Sequence, residues 1–275
     1  MKKMLMTLAL ACLLLTGCAG EFNKVYKTTD VNYRYEYAKQ SFAEGKYTRA
    51  ATLLMELITQ KKGHDDAEEA LYMLGMAEYK SGDFESASAT FKKYYQTYPK
   101  GVYAEEASYY VGQALYESAP EPRLDQTPTI GAINAYQQFL DNFPNSELRP
   151  KAQERLFELQ DKLIMKELLS AQLYYNLGGY FGNINSSNES NYIASIITAE
   201  NALKLYPFTK WREDFSLIIM KSKFELAENS TEDKRVERYR DAEDESYGFL
   251  NEYPESKNSS LAKKFIAKCK KVVGD

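Results

Sequence analysis

The sequence predicts an all-α fold: about five helical hairpins stacked in series as a superhelix and closed by a C-terminal capping helix. Three observations carry this reading. Shifting the chain by 37 residues superposes Tyr35 on Tyr72 and Tyr109, Ala38 on Gly75 and Gly112, and Phe42 on Tyr79 and Tyr116. An aromatic-proline pair recurs as Tyr98-Pro99, Phe143-Pro144, Tyr206-Pro207 and Tyr253-Pro254. No stretch alternates apolar and polar residues as a half-buried strand would. A period of this length marks a repeat architecture, in which each unit buries its apolar face by stacking on its neighbour.

The elements follow in order. The first hairpin spans 31–60, where Gly45, Tyr47, Ala50, Leu54 and Leu57 stand in register with Gly82, Phe84, Ala87, Phe91 and Tyr94 of the second, 67–98. In that second unit the small residues Gly75 and Ala87 let two antiparallel helices approach, Gly82 ends the first helix and Pro99 closes the second. The third hairpin, 105–143, carries Gly112 and Ala132 and ends at Pro144. Its connection, Ser118 to Thr129, holds three prolines and exceeds the repeat length. The fourth, 147–206, contains a Gly/Asn/Ser-rich loop from Gly178 to Asn191 and ends at Pro207. The fifth, 211–253, carries Ala242 and ends at Pro254, and 259–273 forms the cap. Twelve residues before each of these prolines stands a small residue: Ala87, Ala132, Ser195 and Ala242. The segment Ala70 to Pro99 thereby resembles a tetratricopeptide repeat, and 31–275 reads as one continuous repeat domain.

The N-terminus reads as an address. Lys2 and Lys3 precede an apolar run from Met4 to Leu15, followed by Leu15-Thr16-Gly17-Cys18. The run is too short to serve comfortably as a permanent membrane helix, so 1–17 is expected to be a signal peptide. Its end resembles the bacterial lipobox, which implies cleavage before Cys18 and acylation of that thiol. Residues 18–30 then form a lipidated, polar tether of at most ~40 Å.

Composition narrows the chemistry further. The net charge is −4, from 35 Lys and Arg against 39 Asp and Glu, and argues against a nucleic-acid partner. Beyond the leader the chain keeps only Cys269 and His64 among soft ligands, too few for a zinc site of the usual kind, and no cofactor or metal is expected. His64 sits in a turn beside Asp65 and Asp66 and lacks a nucleophilic partner. Cys269 shares an apolar helix face with Phe265. The stripe Lys264, Lys268 and Lys271 reads as a solvated face, with a partner or anionic lipid as the alternative. The pairs Glu68-Glu69 and Glu105-Glu106 lie at helix starts, where acid is favoured. No catalytic or phosphate-binding motif is present, so the protein is not expected to be an enzyme.

One constellation invites a binding role. First helices of stacked hairpins line a groove, which puts Tyr35, Tyr72 and Tyr109 in one row and Phe42, Tyr79 and Tyr116 in a second. Aromatic rows suit an extended peptide, because they bury much area with few rotamers to freeze. Packing between hairpins is the other reading, evenly weighed for the second row.

The lipobox, the tether, the five hairpins and the Lys-rich cap together resemble the BamD family of outer-membrane protein assembly lipoproteins. The local features are Tyr33-Arg34-Tyr35-Glu36-Tyr37-Ala38, Asp125 to Ser146, and Ala171-Gln172-Leu173-Tyr174-Tyr175. The resemblance implies a non-enzymatic subunit of the β-barrel assembly machinery, lipid-anchored at the outer membrane and facing the periplasm. It implies C-terminal hairpins bound to periplasmic domains of the barrel subunit BamA, and N-terminal hairpins that receive unfolded β-barrel precursors beside other accessory lipoproteins. The long loop at 183–191 departs from the family. A generic tetratricopeptide envelope adaptor, serving cell-wall, division or glycan-capture complexes, is the alternative.

Overall fold

The computed structural model describes residues 20–178 and 190–274. The expected signal peptide 1–17, Cys18 and residues 183–189 of the expected loop lie outside them. Twelve helices and no strands occur among the described residues. A short helix α1 spans 20–27. Then follow α2 (Val31–Ala43), α3 (Tyr47–Gln60), α4 (Ala67–Ser81), α5 (Phe84–Thr97), α6 (Ala104–Ser118) and α7 (Thr127–Asn142). They are succeeded by α8 (Arg149–Leu177), α9 (Asn191–Leu205), α10 (Arg212–Glu228), α11 (Glu232–Glu252) and α12 (Ser259–Val273). All five expected hairpins and the cap are present. Helix α1 differs from the expected polar tether: its Val25 is buried in the same cluster as Leu53, Leu54 and Leu57.

The chain divides into two compact units, where the sequence suggested one continuous domain. Among the described residues the first comprises 20–120 and 126–159, and the second 121–125, 160–178 and 190–274. In the first, consecutive helices from α2 to α7 pack on one another around three apolar clusters. In the second, α9 to α12 do the same, with the later part of α8 supplying Ile164 and Ala171.

The repeat signature has a local cause. Tyr98, Phe143, Tyr206 and Tyr253 cap α5, α7, α9 and α11 with φ between −127° and −129° and ψ between 63° and 66°. The following proline ring forbids these residues the helical region, so the chain must leave the helix there. Each cap N–H still reaches back to a carbonyl four residues earlier. In three of these turns the residue two after proline then folds the chain onward. Ser146, Thr209 and Ser256 accept through their hydroxyls from the N–H of Leu148, Trp211 and Asn258. The twelve positions set 12, 8 and 5 residues before the four prolines, from Ala87, Phe91 and Tyr94 to Ala242, Ser246 and Phe249, are all 2% exposed or less.

Glycine is required at two kinds of place. Gly45 and Gly82 have φ of 75° and 86°, the left-handed turn between the two helices of a hairpin. Gly75 and Gly112 are helical and admit a neighbour. A Cβ on Gly75 would lie 2.8 Å from the Phe91 ring, and one on Gly112 would lie 2.9 Å from the Tyr136 ring.

Candidate peptide-binding face

The six aromatics lie on α2, α4 and α6, the first helices of three consecutive hairpins. Their environments differ, and this corrects the first row. Tyr35 and Tyr109 are each 2% exposed, so their rings are mortar between helices rather than a surface. The Tyr35 ring lies under the ammonium groups of Lys39 and Lys61, at 4.9 and 4.2 Å. The Tyr109 ring meets Tyr136 and Phe139 at 5.8 and 5.6 Å, and burial pushes its hydroxyl up to about 12. The register was right but the exposure was not. A residue's position in the repeat fixes which helix face it occupies, and the neighbouring element decides how deeply it is covered.

Tyr72, Tyr79, Tyr116 and Phe42 are half-buried. Tyr72 stacks on Tyr103 at 4.2 Å with 7° between the planes. Tyr79 stands edge-on to Tyr110 and Phe84, at 5.2 and 5.5 Å. Tyr116 lies under the Arg155 guanidinium at 4.6 Å, and Phe42 packs against Tyr47 at 5.4 Å. Tyr103 and Tyr110 extend the aromatic face and escaped the sequence reading. The residues in register with Tyr110 are Met73 and Glu36, so no repetition marks it.

The hydroxyls of this face follow a rule. Tyr35 on α2 donates to Glu69 on α4 at 3.1 Å, Tyr72 on α4 donates to Glu106 on α6, and Tyr116 on α6 donates to Glu158 on α8 at 2.6 Å. Each hairpin's first helix is thus fastened to the next by a tyrosine-carboxylate bond. Burial and the adjacent carboxylate together hold the Tyr72 hydroxyl well above its ordinary range. It therefore remains a donor at every physiological pH. Arg155 donates to both the Tyr116 hydroxyl, at 3.0 Å, and Glu158, at 2.7 Å, so a cation stands beside the Tyr116 ring.

The paired glutamates do more than favour a helix start. Glu68 accepts from the N–H of Val102 at 2.6 Å and from the Tyr94 hydroxyl. Glu105 and Glu213 accept from the hydroxyls of Ser146 and Ser256, at 2.5 and 2.6 Å. All three tie the start of a hairpin to the turn that follows it. Across α5, α6 and α7, a groove of about 600 Å3 has Val111, Leu115 and Ala135 in its lining and Lys92, Asn134 and Gln138 among its polar residues. No repeat in the sequence marks it, because its lining comes from three helices at unrelated repeat positions.

The remaining candidates carry no chemistry of their own. His64 is exposed in its turn. Cys269 is fully buried, and burial pushes its thiol up to about 11, which keeps it protonated. Lys268 is paired with Glu228 at 2.6 Å, while Lys264 and Lys271 lie exposed on the same helix. No group of three His, Cys, Asp or Glu residues able to hold a metal occurs among the described residues. No described helix is long and apolar enough to cross a membrane.

Known proteins place this architecture. The outer membrane protein assembly factor BamD of Caulobacter vibrioides is 24% identical over 165 residues, covering 59% of this chain and 54% of that protein. The chain thus spans about half the length of that relative. BamD of Neisseria gonorrhoeae is 25% identical over 203 residues, covering 69% of this chain and 76% of that one. The protein of the same name from Neisseria meningitidis serogroup B is 26% identical over 204 residues, with the same coverage. Among solved structures, a TPR2AB-domain:pHSP90 complex of yeast Sti1 is similar at a TM-score of 0.39 and 12% identity, covering 87% of this chain and 98% of that one. The sequence profile of the YfiO family, described as outer membrane lipoprotein, matches residues 27–192. That match takes in α2 to α8 with every aromatic of the candidate face, and the chain belongs to the YfiO family of outer membrane lipoproteins.

Proposed function

We propose that this chain is a non-enzymatic subunit of outer-membrane protein assembly, acylated at Cys18 and held at the outer membrane with its hairpins in the periplasm. The α2, α4 and α6 face receives extended segments of unfolded β-barrel precursors, and the C-terminal hairpins hold periplasmic domains of a BamA-type barrel subunit. The family match carries the reading, since the relatives quoted above are all named assembly factors. The half-buried rings of Tyr72, Tyr79 and Tyr116 support the peptide face. Their hydroxyls already bond to carboxylates, so the rings are held in place and little rotamer freedom is lost when a peptide lands on them.

The test is photo-crosslinking of a barrel-derived C-terminal peptide to the purified chain. Replacing Tyr72, Tyr79 and Tyr116 together by Ala is expected to lower the crosslinking yield about tenfold, since aromatic contacts of this kind contribute about 0.5 kcal/mol or more each. Tyr35→Phe and Tyr109→Phe, which alter only buried hydroxyls, are expected to leave the yield unchanged. Equal yields from the triple variant and the parent would remove the peptide face. A mild-detergent pull-down tests the wider reading: recovery of a large barrel protein with periplasmic domains supports it, and recovery of only cell-wall or division proteins overturns it.

A further inference from the structure

The four aromatic-proline turns provide an internal control. They share one backbone conformation, and from three residues before each proline to four after it the same positions are exposed and the same half-buried. Side chains at the exposed positions are therefore not dictated by the fold. Two before and one after the proline, three of the turns carry Thr97 and Lys100, Asn142 and Asn145, or Glu252 and Glu255. The turn between α9 and α10 carries Leu205 and Phe208, which are 72% and 99% exposed. Its flanks are Lys204 and Lys210, where the α7–α8 turn has Asp141 and Glu147 and the α11–α12 turn has Asn251 and Lys257.

The turn is firmly built. The Tyr206 N–H bonds the Ala202 carbonyl at 2.8 Å, and the Arg212 guanidinium donates to the Pro207 carbonyl at 3.1 Å. Lys210 is drawn onto Asp161 and over the Trp211 ring at 5.3 Å, while Lys204 is exposed beside Leu205 with no ion-pair partner among the described residues. A rigid, protruding tip of two apolar side chains with an exposed ammonium beside them matches the amphipathic boundary of a bilayer. There apolar groups enter the acyl region and a lysine reaches the phosphates.

We propose that Leu205 and Phe208 insert into the surface of an anionic phospholipid bilayer, with Lys204 at the level of the headgroups. This goes beyond the assembly reading and rests only on membership of a lipoprotein family. Two side chains hold a free protein to a membrane weakly. In a lipoprotein the tether supplies a high effective concentration, so the contact orients the second unit rather than attaching it.

The chain has a single tryptophan, Trp211, which makes the tip directly readable. The full lipoprotein carrying Phe208→Trp and Trp211→Phe is incorporated into phosphatidylethanolamine–phosphatidylglycerol vesicles whose acyl chains are brominated. Trp emission is expected to move to the blue and to lose most of its intensity, and Leu205→Asp or Lys204→Glu to restore it. The unsubstituted chain, read through Trp211, checks the result without altering the packing below the tip, and a weaker loss of the same kind is expected there. Emission untouched by brominated chains in both proteins would overturn the proposal. A blue shift that appears only when a protein partner is added would overturn it too, making the tip a protein-docking element. Neither result would bear on the pull-down.

Discussion

Tyr136→Ala is expected to destabilise the first unit by about 3–5 kcal/mol, the range for removing a fully buried aromatic side chain. Tyr136 is completely buried on α7, and its hydroxyl and that of Tyr109 both donate to the Gln113 amide oxygen, at 2.9 and 2.8 Å. Gln113 passes the network on to Glu117 at 2.8 Å. Truncation therefore opens a cavity between α6 and α7 and removes one of two donors from a buried amide. Tyr136→Phe keeps the ring and leaves the amide oxygen satisfied by Tyr109, so a loss of only about 1 kcal/mol is expected. Gly112→Ala attacks the same contact from the other side, because its Cβ would press on the Tyr136 ring at 2.9 Å. Overpacking of this kind costs about 1–3 kcal/mol. Combined with Tyr136→Ala the new methyl enters the cavity, so the double variant should be more stable than the sum of the two losses implies. Urea unfolding followed by circular dichroism measures the four variants against the parent. A Tyr136→Ala loss below about 1 kcal/mol, or strict additivity with Gly112→Ala, would show that the ring is not the contact that sets the α6–α7 spacing.

The same contact shows why the hairpins were legible in the sequence and their surfaces were not. Gly75 with Phe91 and Gly112 with Tyr136 recur because two helices can approach closely only where one contributes no side chain. The aromatic-proline pairs recur because proline dictates the conformation of the residue before it. Both are local constraints, and they write themselves into the chain at fixed spacing. Exposure is not local. Tyr35, Tyr72 and Tyr109 are equivalent in register, yet Tyr35 is covered by Lys61 from the next turn and Tyr109 by Tyr136 and Phe139, while Tyr72 is only half-buried. Helix α1 escaped notice because it is a polar segment outside the repeat, fixed by Val25 and by the bond from Tyr26 to Glu56. The division into two units falls within α8, whose continuous helical pattern carries no mark of it.

Replacing Glu78 by Gln is expected to stabilise the first unit at neutral pH by about 1 kcal/mol or more, the excess cost of burying a charged rather than a neutral polar group. Glu78 is 3% exposed near the C-terminal end of α4, and its Oε2 is buried without a hydrogen-bond partner. It occupies the register position held by Ser41 in the first hairpin and Leu115 in the third, so the fold does not call for a carboxylate there. Burial raises its pKa above the ordinary glutamate value, and the negative charge of Asp83 adds to the effect, against a bond from Thr90 that favours the ionised form. The negative end of the helix dipole is likewise a poor place for acid. The sign follows from linkage. A carboxyl whose folded pKa is raised holds its proton more tightly in the native state, so its contribution to stability is present in full below the unfolded pKa. It is lost as pH rises through the folded value. At neutral pH the native state must either carry a desolvated carboxylate or hold a proton that the unfolded chain has released, and the glutamine variant does neither at any pH. The two proteins should therefore be nearly equal in stability below pH 4, and the variant should gain as pH increases, levelling off once Glu78 has ionised. Thermal unfolding of both proteins across that range measures the difference. A gap that stays constant with pH would show that Glu78 ionises as it does in the unfolded chain. A parent more stable than the variant at neutral pH would mean that the carboxylate has a compensating partner.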